Sequence, residues 1–107
     1  MLDSSPNESE LLTTTLELLL EDFQYWFFRA QTLLESERIT LLSPEEQNNL
    51  LARVNKSQQE VITAQILFKA TDQKAGIDTA ILVLWHKLVD ECWQVSMRWQ
   101  SHKANKT

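Results

Sequence analysis

The chain has 107 residues, 43% of them hydrophobic, with one Gly and two Pro; this bounds it to one domain with a real core. Because sheets need Gly, Asn or Asp turns every few residues, the same scarcity points to helix. A formal net charge of −5 argues against nucleic-acid binding, which needs a basic footprint, and a single cysteine, Cys92, excludes an internal disulfide and fits a reducing compartment.

The first helix has a readable start. Ser5-Pro6-Asn7-Glu8 forms a capping-box pattern with Pro at the first helical position, in which the Ser hydroxyl accepts from the amide of Glu8 and the Glu reaches back to the Ser amide. Residues 1–5 read as a loose tail. Leu12, Leu16, Leu19, Phe23, Trp26, Ala30 and Leu33 then recur at spacings of four and three, the signature of a packed seam. Leu20, Phe27 and Leu34 widen it. The helix should end near Glu37 or Arg38.

Ser43-Pro44-Glu45-Glu46 repeats the cap and opens a second helix. Its core face reads as Leu50, Val54, Val61, Ala64 and Phe68, flanked by Ile62 and Ile66. It should run to about residue 73, stopping before Gly76, the only glycine and a C-cap or turn candidate. The third helix is expected over about residues 77–101, with Ile77, Ile81, Leu84, Leu88, Cys92, Val95 and Trp99 as its seam. From His102 the tail is polar and should fray. Short connections force antiparallel neighbours. The expected fold is therefore all-α, an up-down-up antiparallel three-helix bundle about 40 Å long at 1.5 Å per residue. A helical hairpin whose third helix pairs with another copy is the alternative.

Charge is uneven along the chain. Residues 1–50 carry ten acids and two bases, residues 51–107 five acids and eight bases. Attraction between neighbouring helices accounts for this more simply than steering of a partner. The longest apolar run, Ala80 to Trp85, has six residues, against about 20 for a membrane span; contact with a membrane surface stays open. The polar, acidic start resembles no signal or transit peptide.

Reactive groups are few. His86 and Asp90 share a helix face, a spacing that can hold a metal, but one pair is weak and no Glu-x-x-His motif occurs. Cys92 lies in a core stripe and should act as a small apolar residue. A phosphate loop cannot be built from one glycine. Neither catalytic residues nor metal ligands nor a cofactor are expected, and the chain reads as a non-enzyme.

Apolar surplus is the more telling feature. At 100° per residue, Leu18, Tyr25 and Phe28 point nearly opposite Leu16, Leu20, Phe23 and Phe27. On the third helix, Leu82, Val89, Trp93 and Met97 lie well away from Leu84, Leu88 and Val95, with His86 among them. Wide core faces explain part of this. The functional reading is a partner-binding surface of Leu18, Tyr25, Phe28, Leu82, Trp93 and Met97, since aromatic and Met side chains are enriched at interface centres. Its occupant would be an unknown protein partner or a second copy. The runner-up is a ligand, metal or pigment held between the helices near His86, Asp90 or Cys92.

The strings LLEDFQYWF at 19–27, LLE at 33–35, LLARV at 50–54, TAQILFKATD at 63–72 and WHKLVDECW at 85–93 together resemble a small conserved-hypothetical protein family of cyanobacteria, over about residues 10–99. The resemblance implies a domain of unknown function with no established activity, cofactor or partner. It also implies a photosynthetic source and a cytoplasmic location, with the neighbourhood of thylakoids as one option.

Overall fold

The computed structural model describes residues 8–71 and 77–105. Among these there are three α-helices and no strand: α1 over Glu8–Ser36, α2 over Pro44–Ala70 and α3 over Thr79–Ala104. This is the all-α architecture of three long helices that the sequence leads one to expect. Cross-helix contacts fix the directions. Gln47, near the start of α2, donates to the carbonyl of Leu34, near the end of α1, at 2.9 Å, so these two are antiparallel. Phe23 meets Trp85, and further along Glu37 accepts from Trp99, so α1 and α3 run in parallel. The contact between α1 and α2 is the most extensive, and that between α2 and α3 the thinnest.

The ends of the helices follow local chemistry. Before α2 the capping box is complete: the Glu46 amide donates to Ser43 Oγ at 3.0 Å and the Ser43 amide to Glu46 Oε1 at 2.8 Å. These bonds satisfy two amides that the first turn leaves orphaned. The matching box expected at Ser5–Glu8 lies outside the described residues, as does Gly76. α2 stops at Ala70 rather than near residue 73, with Thr71 as its C-cap donating its amide to the Leu67 carbonyl at 3.0 Å. Asp78 caps α3, accepting from the Ala80 amide at 2.9 Å.

The tail from His102, expected to fray, is helical as far as Ala104. Two contacts hold it. The Lys103 ammonium pairs with Glu37 at 2.8 Å, and the His102 ring stacks on Trp99 with centroids 5.6 Å apart.

The core joins Leu20, Phe23, Phe27, Ala30 and Leu34 of α1 to Leu50, Val54 and Val61 of α2 and Trp85, Leu88 and Trp99 of α3. Phe68 is also buried, and Ile39 plugs the core from the α1–α2 connection. The α2 face is the one its periodicity indicates, with Ala64 half-buried beside it. On α1 and α3 the expected seams are in large part the real ones, with Leu20, Phe23, Phe27, Ala30 and Leu34 buried on α1, and along the α3 seam Leu88 and Trp99 buried and Ile77, Cys92 and Val95 packed against the core; the departures lie at one end. Leu12 and Leu19 are exposed while Leu20 and Phe27 are fully covered; Ile81 and Leu84 are exposed while Trp85 is buried. Both helices are apolar across more than one stripe, so periodicity alone offers two seams. The crossing with α2 selects the column of Leu20, Phe27 and Leu34. Trp85 wins over Leu84 because its ring packs edge-on to Phe23 at 5.6 Å while its Nε1 points at Glu60 of α2 at 3.5 Å.

Candidate interaction surface

Five of the six residues singled out for partner binding stand out from the fold. Leu18 is 56% exposed, Tyr25 53%, Phe28 58%, Trp93 51% and Met97 56%. Leu82 is different: it is half-buried and packed against the core, as is Val89. Val89 lines the cleft between α3 and α1, and Trp93 and Met97 are the residues of the expected α3 patch that stay open.

The aromatic side chains are not scattered. Trp26 links the two helices, its ring 5.2 Å from Tyr25 and 5.8 Å from Trp93, edge-on to each. Edge-to-face contacts at such distances are favourable for aromatic quadrupoles. The Arg29 guanidinium lies 5.8 Å from the centroids of both Tyr25 and Trp26 and donates to Tyr25 Oη at 3.3 Å. Tyr25, Trp26 and Trp93 therefore form a continuous strip from α1 onto α3, fixed in place by a cation. Arg29 is not among the residues expected from the sequence to form this surface. Its spacing of four from Tyr25 on one helix was the available signal.

Beside the strip, α1 and α3 enclose a cleft of about 130 Å³ lined by Trp26, Arg29, Leu33, Cys92, Trp93 and Ser96, among others. Burial pushes the Cys92 thiol up to about 12, with the Glu91 carboxylate adding to the effect. Such a thiol is protonated at neutral pH and is a poor nucleophile. His86 and Asp90 do not join it. Both are exposed and line a separate depression with Trp26, Val89 and Trp93 on the outer side. The three side chains proposed together for the ligand reading thus face two different spaces. Among the described residues no group of three His, Cys, Asp or Glu side chains is close enough to hold a metal ion.

A second groove, about 650 Å³, opens where α2 and α3 part, lined by Ala64, Leu67, Ile77, Ile81 and Trp85 with Lys56, Glu60 and Asp78 on its rim. Among the described residues no helix is long and apolar enough to cross a membrane.

Fold and surface together define a small three-helix bundle with an aromatic strip running from its first helix onto its third. Sequence comparison narrows this class to one family. The chain belongs to DUF2605, a family of proteins of unknown function, whose model matches residues 6–101. No curated protein and no solved structure matched the chain.

Proposed function

We propose that the protein is a non-catalytic helical interaction module that binds a partner protein, or a second copy of itself, through the outer faces of α1 and α3. The observation that carries this reading is the exposure of Tyr25, Phe28, Trp93 and Met97, each more than half open to solvent, around a strip already ordered by Trp26 and Arg29. Large rigid side chains held in place lose little entropy when a partner covers them, which is what interface hot spots share. With the resemblance noted from the sequence, the module belongs in the cytoplasm of a photosynthetic bacterium, where contact with a membrane surface is a further option.

Tyr25→Ala and Trp93→Ala test the reading. Each should weaken capture of a partner from the native host, or self-association measured by equilibrium sedimentation, by roughly 1–3 kcal/mol. Helix content should stay as in the wild type. Unfolding by either substitution would make the residue part of the core and remove it from the surface.

The cleft beside Cys92 favours a second reading, a small apolar ligand held between α1 and α3. Its protonated thiol and aromatic walls suit an uncharged molecule. Mass spectrometry of native protein under non-denaturing conditions checks it: an added small mass lost on Cys92→Phe supports it, and a bare chain mass counts against it.

A further inference from the structure

α1 carries a second heptad pattern beside its buried seam. Large apolar pairs stand at Leu11-Leu12, Leu18-Leu19 and Tyr25-Trp26, seven residues apart each time. Seven residues are close to two turns, so the pairs stack along one side of the helix. The last pair is met by α3 through Trp93. All four leucines of the first two pairs are exposed.

The register of the bundle explains why they are open. Pairing of Gln31 with Asn55 and of Phe23 with Trp85 puts the end of α2 and the start of α3 about level with residues 15–17 of α1. The first two turns of α1, about 10 Å, therefore reach past both described neighbours. Beside Leu18 and Leu19 the first turns of α3 bring no cover, and both leucines stay exposed.

Charge identifies what fits there. From Glu8 to Phe28, α1 holds Glu8, Glu10, Glu17, Glu21 and Asp22 and no Lys or Arg. On a helical wheel Glu8, Thr15 and Asp22 run between the two leucine columns. A second copy laid on this face would set acid against acid along its α1. An anionic lipid surface is repelled for the same reason as the second α1.

We propose that α1 from Leu11 to Tyr25 receives a basic amphipathic helix of a partner protein, its apolar stripe on the column of Leu11, Leu18 and Tyr25 and its Lys or Arg flanks against Glu8 and Asp22 on one side and Glu21 on the other. This rests on the interaction-module reading and states the chemistry of the partner. Helix-in-groove recognition uses apolar anchors at such spacings, and opposite charge speeds encounter and fixes orientation.

The probe is a labelled synthetic peptide of about 18 residues, Leu at heptad a and d positions and Lys elsewhere, titrated by fluorescence anisotropy into the full chain. Two control peptides exchange every Lys for Glu, or every Leu for Ser. The Leu/Lys peptide should bind about 10-fold or more tighter than either control. Leu18→Ser with Leu19→Ser should lower its affinity about 10-fold or more, while Ile66→Ser on α2 leaves it unchanged. All these side chains are exposed, so circular dichroism should show the fold intact. Equal binding by the Ser control, equal binding by the Leu18/Leu19 variant, or dimerisation of the chain through these leucines would overturn the proposal. Trp93→Ala separates the two levels. If it abolishes partner capture while the leucine variant binds the peptide like wild type, the basic-helix assignment fails and the module reading stands. If neither variant changes capture or binding, both fail.

Discussion

The two ends of the bundle are built differently. At one end lie the last turn of α1, the connection to α2 and the last turn of α3, tied by polar side chains. Gln47, buried, accepts from the Ile39 amide at 2.9 Å and from Arg38 at 2.6 Å, and donates to the carbonyls of Leu34 and Glu37 at 2.9 and 2.7 Å. Arg38 also donates to the Leu42 carbonyl at 2.7 Å. Glu37 in turn accepts from Trp99 Nε1 and from Lys103. At the other end lie the start of α1, the end of α2 and the start of α3. There Leu11, Leu12, Leu18, Leu19, Ile66, Leu67, Ile81, Val83 and Leu84 are all exposed. One end is closed by satisfied hydrogen bonds, which specify a geometry; the other presents apolar surface, which attracts without specifying. The stability of the domain should therefore reside at the first end and in the middle, and the docking proposed for the leucines of α1 at the second.

The largest test of that contrast compares two adjacent leucines. Leu20 is buried and Leu19 exposed. Leu20→Ala should cost about 3 kcal/mol through lost burial and the cavity it leaves. Leu19→Ala should cost less than about 1 kcal/mol. Chemical denaturation of both variants measures the difference; equal losses would mean that Leu19 is covered in solution as well as Leu20.

Gln47→Ala should rank next. It removes a buried side chain and leaves the Ile39 amide and two carbonyls without their partner, a loss of about 2–3 kcal/mol. For a domain of this size that lowers Tm by roughly 10 °C. The same change at exposed Gln59, on the rim of the groove between α2 and α3, should be close to neutral.

These residues also show how far the sequence could be read. α2 was legible in its start, its cap and its core face, because Leu50, Val54, Val61 and Phe68 recur on one stripe and Ser43 and Glu46 sit at the box spacing; Ile66, expected to flank that face, is exposed. α1 and α3 were legible as helices and in most of their seams, but not at the end where Leu12, Leu19, Ile81 and Leu84 are exposed. Leu19 and Leu20, or Leu84 and Trp85, differ by 100° around a helix that is apolar on both columns, and only the crossing with a neighbour decides between them. Tyr25, Phe28, Trp93 and Met97 are exposed because they lie off both columns, whereas Leu82 sits at the boundary and went the other way. Gln47 and Ile39 gave no signal, since a polar residue one turn into a helix and an apolar residue in a connection acquire their roles only from tertiary contacts. Lys103 was hidden in a polar tail for the same reason: its partner, Glu37, lies 66 residues away.

Acid should loosen the tied end by a smaller amount. Hydrogen bonds from Lys103 and Trp99 hold the Glu37 carboxyl below its ordinary value, and the Ser43 amide does the same for Glu46. The Arg53 guanidinium lowers Glu91 midway along the bundle. In the unfolded chain these groups take up protons near the ordinary glutamate value of about 4.3, before they do in the folded chain. Their stabilisation is thus present above that value and is lost as pH falls through the lower folded values. Thermal melts should show Tm dropping by a few degrees across this window, and Glu37→Gln should make the drop shallower. An unchanged slope would mean that the Glu37 contacts do not persist in solution.

The smallest expected effect is the most informative about the other end. Leu84 occupies a position that periodicity assigns to the core, yet its side chain is 64% exposed. Leu84→Ser there should change stability by no more than about 0.5 kcal/mol, because little apolar surface leaves water when the chain folds. A loss of 2 kcal/mol or more, on the order of a buried leucine, would mean that α3 closes onto its neighbours at this end in solution. The groove between α2 and α3 would then be filled from within, and the contrast between a closed end and an open one would disappear. A neutral result, combined with a lower tendency of the variant to bind apolar dyes, would establish that the surface is maintained at no stability benefit to the isolated chain, which is the condition a docking surface has to meet.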